Sequence, residues 1–172
     1  MPRGRVRDFL HRLDLELGAL DEKAVESLFD TFARKAQPRV MELLRAIAEQ
    51  NRIAEEFLAE SLFHLYSVQR FYEETEQVPP PRFGRRRLLA GLDDVERIID
   101  GLSPEVDLMS DPLTAAEIPF FADDIPRLFF HRWRAELQDM LDFGEVSEDL
   151  YWDLLRFYLV VLRLYHDEFS DF

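Results

Sequence analysis

A chain of 172 residues with 47% hydrophobic content and 15 phenylalanines can bury a core of its own, removing roughly 70% of its unfolded surface from water. Its net charge is −14, and its absence of cysteine excludes a disulfide framework, a cysteine zinc site, iron–sulfur ligation and a thiol nucleophile. The longest strongly apolar run, Phe157–Leu162, falls far short of the roughly 20 residues that span a bilayer, so no membrane association is expected.

The pattern from the first residues on is helical. Arg3, Arg5 and Arg7 form a basic start, and Asp8, His11 and Arg12 then interrupt any apolar signal core. Val6, Phe9, Leu10, Leu13 and Leu17 recur at helical spacing and Gly18 stops them. Asp21 reads as an N-cap for a stripe of Val25, Leu28, Phe29 and Phe32. Pro38 fits the first turn of a third helix, where its missing N–H costs nothing. From 38 to 77 there is no further Gly or Pro, and Val40, Leu43, Leu44, Ile47, Leu58, Leu62, Leu65, Val68 and Tyr72 keep the period. A single helix of that length would reach about 60 Å. Polar Gln50 and Asn51 occupy the stripe and mark a break.

Pro79–Pro81 end this stretch, and Arg82, Arg85, Arg86 and Arg87 follow. The 78–87 break divides a single helical domain into two halves. Leu88, Leu92, Val95 and Ile99 give the next helix, closed by Gly101. Residues 102–126 hold four prolines and read as a long loop with one short helix at 112–118, a loop length that often goes with partner binding. Leu128, Phe129, Trp133, Leu137 and Leu141 make a helix closed by Gly144. Ser147 caps the last, 147–170, with Glu148 and Asp149 at its positive end. That helix is apolar on most faces, which puts it at the centre of a fold or in an interface. The expected fold is all-α, an irregular bundle of six or seven helices, with 38–77 and 147–170 supplying the core.

Charge is uneven. Residues 78–92 carry four bases and no acid, and residues 93–126 carry ten acids and one base. Internal pairing of Arg85–Arg87 with Asp93, Asp94 and Glu96 is the plain structural expectation. No Gly-rich phosphate loop and no serine in a Gly-rich elbow occurs. Glu60 and His64, four apart, share a helix face and could hold a metal together, with His131 or His166 as further ligands. A di-iron bundle would need Glu-x-x-His pairs on facing helices, and neither His131 nor His166 has a Glu three residues earlier.

These features point first to a non-catalytic adaptor, regulatory or chaperone-like subunit. It would bind a protein partner, or a second copy of itself, through an apolar helix face or loop. Phe120 and Phe121, in an apolar knot within the acidic loop, are its expected anchors. Arg82, Arg85, Arg86 and Arg87 are the expected salt-bridging or anion-binding patch, and the acidic surroundings would favour a basic partner. A metal- or cofactor-binding bundle using Glu60 and His64 is the alternative. A nucleic-acid-contacting subunit using the Arg patches comes after it, opposed by the overall charge. No cofactor is implied, and a cytoplasmic location is the expectation.

Overall fold

The computed structural model describes residues 2–53, 58–77, 79–100 and 124–169. They are helical, with no strand among them, in seven α-helices and one π-helical turn. None of these helices is long and apolar enough to cross a membrane. The chain divides into two compact units, Met1–Gly84 and Arg85–Phe172.

The N-terminal unit holds α1 (Pro2–Gly18), α2 (Glu22–Thr31), the π turn Phe32–Ala36, α3 (Pro38–Gln50) and α4 (Leu58–Glu76). Asp21 caps α2, its carboxylate accepting from the Ala24 N–H at 2.7 Å. The stripe of α1 packs on α4 through Phe9 and Phe71, edge to face at 5.3 Å, with the Arg5 guanidinium over the Phe71 ring. Phe29 and Phe32 meet Tyr66 from the other side, at 5.4 and 5.9 Å.

The periodic run 38–77 is two helices. At Asn51 the backbone leaves the helical region, and Arg52 takes φ 55°. The Ile53 N–H then reaches back to Ala48 O and the Arg52 N–H to Glu49 O. This six-to-one and five-to-two pairing satisfies the last carbonyls of α3. The Asn51 amide adds a bond to Ile47 O at 2.9 Å.

The C-terminal unit holds α5 (Arg85–Asp100), α6 (Asp124–Asp142) and α7 (Glu148–Phe169). Twelve residues of α7, from Leu150 to Tyr165, are buried. Both α5 and α6 pack on it. Gly144 at φ 73° closes α6, with the Glu145 N–H on Met140 O at 2.8 Å. Ser147 Oγ accepts from the Leu150 N–H and starts α7.

Gly91 of α5 faces Val160 of α7. A Cβ there would come 2.9 Å from Val160 Cγ1, and Val160 is a stiff, β-branched, buried residue. Alanine gains up to about 1 kcal/mol of helix propensity over glycine, but crowding a packed core costs about 1–3 kcal/mol. Gly91→Ala is therefore expected to lose roughly 1 kcal/mol net in urea unfolding. Adding Val160→Ala should make the double variant more stable than the two separate losses predict. Strict additivity would mean the two side chains do not meet.

Candidate functional site

The feature of the N-terminal unit that sequence patterning did not indicate is an open cleft of about 620 Å³ beside the π turn. Its construction begins at Pro38. A residue before proline is held out of the helical region, and Gln37 sits at φ −139°. The chain therefore cannot run straight from α2 into α3. The turn Phe32–Ala36 widens instead, and the Gln37 N–H bonds to Phe32 O. Such π turns are often found at functional sites. Here the turn sets Phe32, Lys35 and Ala36 along one side of the cleft.

The non-helical backbone at Gln37 is accompanied by an inward side chain, 1% exposed. Its Nε2 donates to Pro81 O at 2.8 Å, and its Oε1 accepts from the Phe83 N–H at 3.0 Å. One side chain thus holds two backbone polar groups of the non-helical strap 79–84. Phe83 is fully buried. The strap carries Pro79, Pro80 and Arg82 to the cleft. It is a fixed wall of the N-terminal unit. Gln37 also reaches Gln69 on α4 at 3.4 Å, and Gln69 donates to Glu73 at 3.0 Å. This buried relay ends on a carboxylate that lines the cleft.

From α4 come Tyr66, Gln69, Arg70 and Glu73. Arg70 donates to the Tyr66 hydroxyl at 2.6 Å and pairs with Glu16 and Glu74. Burial pushes the Tyr66 phenol above its usual pKa, against the opposing pull of Arg70. Burial also works against the Arg70 charge, but Tyr66 and Glu16 outweigh it and raise its pKa. Arg70 is thus a permanently charged, well-held group. Lys35 and Arg82 are exposed and make no ion pair among the described residues. The lining carries Lys35, Arg70 and Arg82 against the single carboxylate Glu73, on a chain of net charge −14.

The C-terminal unit has a smaller cavity of about 180 Å³ between α5 and α7, lined among others by Arg87, Asp94, Arg163 and Asp167. Its two cations and two anions balance. Arg163 Nη1 is buried there without a hydrogen-bond partner among the described residues.

The sequence candidates are placed as follows. Arg82 belongs to the strap and to the cleft. Arg85, Arg86 and Arg87 form the exposed first turn of α5, the helix end where cations are least favoured. Arg87 pairs with Glu168 on α7 at 3.3 Å, while Asp94 pairs with Arg97. Glu60 is exposed and His64 buried on α4, the His64 ring edge-on to Phe63. His131 is exposed on α6, and His166 is half-buried on α7. Among the described residues no three His, Asp or Glu side chains gather as a metal would require. Phe120, Phe121 and the expected helix 112–118 lie outside the described residues.

The chain matches no protein-family model, no curated protein and no solved structure.

Proposed function

We propose that the protein is a non-catalytic helical adaptor that receives a segment of a partner protein in the cleft of its N-terminal unit. One observation carries this reading. The cleft is built rather than incidental, because its strap wall is fixed to α3 and α4 by the buried Gln37 relay. A pre-formed concave surface binds without paying to order its own walls. Leu28, Phe32, Tyr66 and the two prolines supply apolar area, and the charged groups around them supply orientation.

The test is selection of random dodecapeptides on the immobilised protein, repeated on Thr31→Trp. Thr31 is exposed and lines the cleft, so an indole there fills it without disturbing the core. Peptides selected on the wild type are expected to lose at least about tenfold in affinity for a Thr31→Trp protein of unchanged thermal stability, as hot-spot contacts do when blocked. Equal binding to both proteins would remove the cleft from the reading. Metal in stoichiometric amount in the purified protein would move the assignment to Glu60 and His64 instead.

A further inference from the structure

We propose that the segment received is acidic, with an apolar anchor between its carboxylates. This rests on the cleft being a peptide site, and it says which class of peptide.

The chain as a whole repels anions, and its surface by itself favours a basic partner. The cleft has the opposite sign. Arg70 is answered by Glu16 and Glu74, so its charge is largely used inside the unit. Lys35 and Arg82 are not so used: neither makes an ion pair among the described residues. They come from two separate segments, the π turn and the strap. Lys35 shares the last turn of the π segment with Arg34, where cations are common, but Arg82 lies on the non-helical strap, so the two meet at the cleft from different directions. A basic segment would set its charges against both of them and leave only Glu73 to answer. A neutral apolar segment would leave both cations without a counter-charge at the contact. An acidic segment pairs both and places its apolar side chain on Leu28, Phe32 and Tyr66. Like charges brought together at an interface exclude wrong partners more strongly than matched charges reward right ones. The sign of the cleft is therefore a statement about specificity first.

The experiment uses three labelled peptide mixtures on the full-length chain, read by fluorescence anisotropy. All share degenerate Phe, Leu and Ile positions, and the remaining positions are all Glu, all Gln or all Lys. The Glu mixture is expected to bind about five- to tenfold more tightly than the Gln mixture, as two exposed charge pairs allow. The Lys mixture should bind weakest. Lys35→Glu combined with Arg82→Glu changes only exposed side chains and should invert that order. If the Gln mixture binds as well as the Glu mixture, or the Lys mixture binds best, the acidic class is wrong and the cleft remains a peptide site. If no mixture binds, or all bind Thr31→Trp unchanged, the cleft reading falls as well.

Discussion

Trp133→Ala should be the most damaging single truncation in the C-terminal unit, lowering unfolding free energy by about 3–5 kcal/mol. Trp133 is 2% exposed on α6. Its ring sits edge-on to Phe157 at 6.2 Å and against Tyr158, two fully buried side chains of α7. Removing the indole deletes the largest side chain in the α6–α7 seam and leaves a void lined by rings that cannot close it without rotating. A domain's whole stability is about 5–15 kcal/mol, so the variant should unfold at roughly half the urea concentration or fail to accumulate. Trp133→Phe keeps most of the volume and the edge contact and should cost less than half as much. Urea titration followed by far-UV circular dichroism reads both, and the exposed part of Trp152 remains as a fluorescent reporter. A loss below about 1 kcal/mol for the alanine variant would mean the seam collapses freely around the missing ring.

The helices themselves were legible because their signals are local. Asp21, Pro38, Gly144 and Ser147 each do at their position what the residue type does in general: cap, open, close and cap. Arg52 shows the limit. It occupies the same left-handed position after α3 that Gly144 occupies after α6, with the same backbone pairing. A non-glycine residue there leaves no mark in the sequence. Polar Gln50 and Asn51 gave the only hint of the break. The π turn was illegible for a related reason. The stripe of α2 runs through Phe32 at ordinary helical spacing, and the extra residue is forced by Pro38 acting on Gln37. The arginine break was visible as composition, but its partition was not. Arg82 serves the cleft, whereas Arg87 finds Glu168, 81 residues away. Glu168 could only be recognised as its partner once α5 and α7 were packed. Val68-Gln69-Arg70-Phe71-Tyr72 and Val161-Leu162-Arg163-Leu164-Tyr165 are alike in sequence, and the two segments share one structural feature. In both, the arginine is the single half-buried residue among buried neighbours, and in both it lines its unit's cavity.

The cleft itself could not be read from patterning because the residue that builds it is a glutamine, a type whose sequence prior is a solvated surface. Gln37→Met tests that residue directly, since methionine keeps the length and removes every hydrogen bond. The buried Phe83 N–H and the part-buried Pro81 carbonyl would then each lose the bond that Gln37 makes to them. A buried polar group that loses its partner costs about 1–3 kcal/mol, and Pro81 is exposed, so the loss should be about 1–3 kcal/mol if the strap stays in place. The strap has a cheaper way out, which is to lift and find water, and that predicts where the damage appears. Amide exchange at Phe83 should accelerate by about 30-fold or more, while exchange in the middle of α4 changes far less, the signature of local rather than global opening. Lifting the strap also withdraws Pro79, Pro80 and Arg82 from the cleft, so peptides selected on the wild type should bind Gln37→Met at least about tenfold more weakly. Gln69→Leu separates the two roles of the relay. It removes the bond to Glu73 and the 3.4 Å contact with Gln37 but leaves both strap bonds intact. Exchange at Phe83 should therefore stay slow in that variant. Rapid exchange at Phe83 already in the wild type would show that the strap is held by the burial of Phe83 alone, and Gln37 would then be a passenger in the wall it is argued to fix.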